Sequence, residues 1–114
     1  MALPDAIEPK PRVDVDRIAR HAREVSDFLK ALAHESRLIV LCDLLNGERS
    51  VGELEAILSR RQSSVSQQLA RLRLAGLISA RRDGKAIHYS IADDRVRAVI
   101  AALYASFCGP DSDA

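Results

Sequence analysis

From Arg12 to Cys108 the chain contains no proline, and Pro4, Pro9, Pro11 and Pro110 all lie at its two ends. Proline removes a backbone donor and clashes with the preceding turn, so its absence leaves the whole interior open to helix. The expectation is a mainly α domain. A length of 114 residues allows one ordinary packed domain and not two, and 47% hydrophobic content can supply its core. Residues 1–11 alternate proline with charged and small residues and are expected to form a disordered N-terminal tail. Residues 12–108 are assigned to the domain and 109–114 to a C-terminal tail.

Hydrophobic spacing divides this interior. Ile18, Ala22, Val25, Leu29 and Leu32 recur at helical intervals from Asp14 or Asp16 onward, predicting a first helix that ends near Ala33. A second, Leu38 to Leu45, is opened by Ser36 or the His34-Glu35 pair. It is apolar on nearly all sides, so it belongs at the centre, and it stops at Asn46-Gly47. Ser50 and Glu53 have the spacing of a capping box and start a short third helix with Val51, Leu54, Ile57 and Leu58 as its apolar face. Ser63 or Ser64 caps a fourth, which points Val65, Leu69 and Leu72 inward and finishes at Ala75-Gly76. Two short helices joined by a tight turn make a helix-turn-helix. Leu77 to Arg82 and Lys85 to Ile91 alternate around an Asp83-Gly84 loop, the pattern of a two-stranded β-wing. Asp93-Asp94 then opens a fifth helix striped with Val96, Val99, Ile100, Leu103, Tyr104 and Phe107.

A net charge of +1 conceals a strong division. Residues 1–58 carry eight basic and eleven acidic side chains, residues 59–90 seven and one, and residues 91–114 two and four. The middle block is therefore +6, and phosphate attraction responds to such local charge because it decays over about 8 Å. If the fourth helix buries its apolar residues, Ser64, Gln67, Gln68 and Arg71 lie on the opposite face. Gln can pair with an adenine edge and Arg with a guanine edge, while Ser63, Ser64 and Ser66 suit phosphates or base edges near the helix start. Arg60 and Arg61 precede this helix, and Arg81, Arg82 and Lys85 decorate the wing. A plain polar helix face and a solvated basic surface are the competing interpretations; coincidence of the two in one stretch favours binding to double-stranded DNA.

No apolar run approaches the roughly 18 to 20 residues that span a bilayer, and the N-terminus lacks a basic-then-apolar export signal. The expected location is cytoplasmic, without membrane association. Two cysteines, Cys42 and Cys108, are too few for a secreted disulfide scaffold, so a bond between them would be regulatory. No Cys-x-x-Cys, Ser-His-Asp set or Gly-rich phosphate loop points to an enzyme.

These segments together resemble the ArsR/SmtB family of bacterial repressors over about residues 17–108. The likeness is carried by Phe28 to Leu38 (FLKALAHESRL), Val51 to Leu58 (VGELEAIL), Ser63 to Leu77 (SSVSQQLARLRLAGL) and the wing (RRDGKAIHYSI). It implies a winged helix-turn-helix with five helices, forming a homodimer through the first and last of them. It further implies that the dimer represses from an imperfect palindrome in operator DNA.

The metal-ligand sets of the family are missing. Arsenic sensors carry a Cys-x-Cys type motif in the second helix, where Val40-Leu41-Cys42 offers one thiol, and a zinc site in the last helix would need His, which that helix lacks. No metal and no cofactor are expected. Cys42 and Cys108 instead resemble the pair used by the biofilm-growth and sulfide-responsive branch, a likeness strengthened by Leu103 to Cys108 (LYASFC). That resemblance implies low-molecular-weight persulfides or polysulfides as inducer, bridging the two thiols. Two small buried hydrophobes, or a sensor of a metal, another ligand or another oxidant on the same scaffold, are the alternatives.

Overall fold

A computed structural model describes residues 12–58 and 65–109. Residues 1–11 and 110–114, which belong to the expected tails 1–11 and 109–114, and residues 59–64, which include Arg60, Arg61, Ser63 and Ser64, lie outside them. The chain divides after Lys30 into a leading unit and a body.

In the leading unit the Asp14 carboxylate accepts from the amides of Asp16, at 3.0 Å, and Arg17, at 3.3 Å. The Asp16 amide is thereby given a partner at the start of α1 (Val15–Leu32), while the Arg17 amide also donates to the Asp14 carbonyl at 3.1 Å. Its apolar positions Ile18, Val25 and Leu29 are exposed.

In the body, α2 spans Glu35–Leu44, beginning three residues earlier than its hydrophobic pattern alone indicates. His34 is the reason: its Nδ1 accepts from the Ser36 amide at 3.1 Å and caps the helix. No residue from Ser36 to Leu45 is exposed, so α2 occupies the centre as its all-round apolarity requires. The capping box forms as expected at α3 (Val51–Leu58), with the Glu53 amide donating to Ser50 Oγ at 3.1 Å and the Ser50 amide to Glu53 Oε1 at 2.8 Å. The next helix, α4 (Val65–Leu74), ends in a Schellman motif. There the Leu77 amide donates to the Leu72 carbonyl and the Gly76 amide to that of Arg73, with Gly76 at φ +76°.

The wing differs from its sequence description in two ways. Among the described residues its sheet has three strands, ordered β1 (Arg49–Ser50), β3 (Ala86–Ile91), β2 (Ile78–Asp83), all antiparallel. A two-residue strand has no periodicity to detect; β1 exists because β3 pairs with it, Arg49 opposite Tyr89 and Ser50 opposite His88. Asp83 also pairs with Ala86, which makes the loop Gly84-Lys85 and not Asp83-Gly84. Primed hairpin turns need a positive φ at the first loop position, and Gly84 supplies it at +65°. The last helix, α5 (Asp94–Cys108), is capped by Asp93, whose carboxylate accepts from the Arg95 amide at 2.8 Å. It ends at Gly109, φ +70°.

Leu41, Leu44, Leu54, Leu58, Leu69, Leu72, Val96 and Ile100 are almost wholly buried and join α2 to α5 into one core. Each such side chain contributes about 1.5–3 kcal/mol through removal from water. Tyr89 and Ile91 on β3, Ile78 on β2 and Leu77 just before it extend that core beneath the sheet. The architecture is a winged helix-turn-helix, with five helices among the described residues.

Candidate nucleic-acid interface and cysteine groove

α4 packs against α2, α3 and β2. Val65, Leu69 and Leu72 face inward as their spacing demands, leaving Ser66, Gln67 and Arg71 exposed. Arg73, absent from the sequence-based set, is exposed as well and falls seven residues, two turns, after Ser66 on the same face.

Gln68 requires a correction. It is buried, 9% exposed, and its Oε1 accepts from Arg37 Nε at 2.7 Å. The outward position on which its base-reading role rested is therefore not observed. Spacing could have shown this, because Gln68 lies three residues after Val65 and four before Leu72, both buried, and so shares their face.

On the wing, Arg82 and Lys85 are exposed at the hairpin tip. Arg81 is instead engaged by Glu48, with Nη2 to Oε1 at 2.7 Å and Nε to Oε2 at 3.1 Å. This bidentate hydrogen bond holds the Glu48 carboxyl below its ordinary range. Arg82 and Lys85 are thus the wing cations suited to phosphate. We expect Arg71→Ala to weaken operator binding by about 1–3 kcal/mol, as loss of a base contact does. Arg82→Ala and Lys85→Ala should weaken binding to all duplexes alike and flatten the salt dependence, which titrations at several salt concentrations measure. An unaltered slope would count against a wing on the backbone.

The two cysteines come from helices that pack against each other, Cys42 from the last turn of α2 and Cys108 from the last position of α5. Both are free thiols, and both line one apolar groove of about 380 Å³ whose walls include Leu38, Ile100, Leu103 and Phe107. Burial pushes the Cys42 thiol above its ordinary pKa, and negative charge on Cys108 raises it further. Cys42 also borders a second cavity, lined in part by Asp43, Asn46 and Tyr104. Asp43 is held there by Arg49 at 2.9 Å. Of the three histidines, His34 caps α2, His21 lies 3.7 Å from Glu24, and His88 is on β3. Among the described residues no three His, Cys, Asp or Glu side chains are placed to share a metal ion.

Residues 34–80 match the family model described as bacterial regulatory protein, arsR family. The chain is 46% identical over 101 residues to the biofilm growth-associated repressor of Agrobacterium fabrum, covering 89% of this chain and 86% of that one. The chain belongs to the ArsR family. Among solved structures, this ArsR-family regulator is similar to the transcriptional repressor BigR from Xylella fastidiosa, with TM-score 0.78 and 38% identity. That match covers 84% of this chain and 98% of BigR. It is also similar to reduced HlyU from Vibrio cholerae, with TM-score 0.71 and 37% identity over 81% of this chain and 97% of HlyU. The regulator has no helix, among its described residues, long and apolar enough to cross a membrane.

Proposed function

We propose that this ArsR-family regulator is a homodimeric repressor that occupies an imperfect palindrome in double-stranded DNA and leaves it when a persulfide or polysulfide bridges Cys42 and Cys108. The observation that carries this is the shared groove: two thiols, from the central helix and the C-terminal helix, open onto one apolar space. The similarity to biofilm growth-associated repressors and to a relative solved in its reduced form supports both halves. Ser66, Gln67 and Arg71 read the major groove, while Arg82 and Lys85 hold phosphates. Arg60, Arg61, Ser63 and Ser64, at the start of the reading helix in sequence, add phosphate contacts.

The chemistry is thiol exchange. A cysteine thiolate attacks the outer sulfur of a persulfide RSSH, becomes a cysteine persulfide and releases the thiolate RS⁻. The second cysteine then attacks the inner sulfur of that persulfide, closing a disulfide and expelling HS⁻; two thiols and one RSSH become a bridge, RSH and H₂S. With a trisulfide donor RSSSR, two RSH leave and the bridge keeps a third sulfur. Burial disfavours the Cys42 thiolate, which slows attack by Cys42 in whichever step it makes. A plain disulfide requires Cα atoms roughly 4.4–6.8 Å apart, so any wider separation selects for longer sulfur chains.

A bridge ties α2 to α5. In a dimer joined through α1 and α5, that constraint shifts the two α4 helices relative to half-sites about 34 Å apart. A coupling of about 1–3 kcal/mol lowers operator affinity roughly 5- to 150-fold. Intact-mass measurement after separate treatment with glutathione persulfide, peroxide, zinc and arsenite provides the test. Glutathione persulfide should remove two hydrogens per protomer, with any retained sulfur added, reversibly by reductant, and release DNA in parallel. Release by zinc or arsenite without a covalent change would replace the bridge with a metal sensor.

A further inference from the structure

Arg37, on α2, makes two hydrogen bonds of defined geometry. Its Nε donates to Gln68 Oε1 on α4 at 2.7 Å, and its Nη1 donates to the Ala31 backbone carbonyl at 3.0 Å. The guanidinium is planar and its donors form a rigid fork, so anchoring one arm on backbone fixes where the other can point. The Gln68 bond is short and charge-assisted, and its acceptor is buried beside the apolar face of α4. A helix rotating about its own axis would have to break it.

Rotation is the motion that matters for base reading. With side chains included, a helix has a radius of about 5–6 Å, so a turn of about 20° moves an exposed group by about 2 Å. Such a displacement exceeds what a paired hydrogen-bond contact tolerates. Arg71 follows Gln68 by three residues, and Gln67 precedes it by one, so the residue held by Arg37 lies among those exposed for reading.

We infer that Arg37 is a positioning residue for operator recognition, setting the rotation of α4 through Gln68, and that Gln68 acts as the acceptor for Arg37 and not as a reader of bases. The inference rests on α4 as the reading helix, a premise that Arg71→Ala tests by itself. The periodicity of α4 explains why Gln68 is buried; only the bond to Arg37 explains why an amide is there.

The experiment uses the reduced full chain and two duplexes, one selected by the wild-type protein from a random-sequence library and one unselected. Arg37→Ala, Gln68→Ala, the double variant and Gln68→Glu are titrated against both. Each alanine variant should lose about five- to tenfold in affinity for the selected duplex. Affinity for the unselected duplex should stay unchanged, because phosphate contacts tolerate small rotations. The double variant should be no weaker than the weaker single, since both remove one bond. Gln68→Glu should keep its affinity within about threefold, because a carboxylate still accepts from Arg37. A base-reading Gln68 behaves oppositely: glutamate lacks the amide donor that pairs with adenine and is repelled by phosphate. Additive losses in the double variant, a Gln68→Glu defect as large as that of Gln68→Ala, or equal losses on both duplexes would each overturn the assignment.

Discussion

Cys42→Ser and Cys108→Ser should each bind operator as tightly as the unmodified protein when reduced, and neither should release it after treatment with glutathione persulfide. The release that disappears is the full 5- to 150-fold or so expected of a coupling of 1–3 kcal/mol. Both losses are required by the mechanism. One thiol can accept a sulfur, but tying α2 to α5 needs a partner on the other helix. Reduced binding survives because neither cysteine lies on α4 or on the wing strands, and serine preserves the size of the side chain. The pH dependence has a definite sign. Since Cys42 titrates above the ordinary thiol range, its thiolate is scarce at neutral pH and grows about tenfold per unit as pH rises toward that pKa. Closure of the bridge in the unmodified protein should accelerate accordingly, measured as disulfide formation after rapid mixing. Full persulfide-driven release by either serine variant would disprove bridging while leaving DNA binding intact.

Phe107→Asp should abolish operator binding at protein concentrations that saturate the unmodified chain, by preventing formation of the proposed homodimer. Phe107 is 84% exposed and Tyr104 52%, and with Leu103 they continue the stripe that Val96 and Ile100 begin within the core. The buried half needs no partner. The exposed half places large apolar side chains in water, and a second copy of the chain would cover them. An aromatic anchor at such an interface contributes about 2 kcal/mol or more, and a buried unpaired carboxylate in its place costs further. The dimer should therefore weaken by at least about 3 kcal/mol, roughly 150-fold. Sedimentation at several concentrations measures it. A variant that remains dimeric would move the interface away from this end of α5.

The elements that announced themselves in the sequence are those whose signals are local. The capping box at Ser50 and Glu53, Asp93 before α5, Gly76 after α4 and the alternation of the wing each depend on residues within a few positions of one another. Helical periodicity likewise assigned Val65, Leu69 and Leu72 to the core, and the all-round apolarity of α2 assigned it to the centre. Three features depended on residues far apart in the chain. β1 is two residues long and has no identity apart from its pairing with β3, some 40 positions later. Arg81 looked like a wing cation until folding brought Glu48 against it. Gln68 looked like a groove reader until Arg37, 31 residues earlier, reached it. The cysteines divide in the same way: their positions on two helices were legible, because apolar spacing places them, whereas the groove they share exists only because α2 packs against α5. Local hydrogen bonding and hydrophobic period determine which elements form and which face each one buries. Which polar side chain is used up in holding two elements together, and which stays exposed, is decided by distances between residues remote in sequence, and those are set only when the chain has folded.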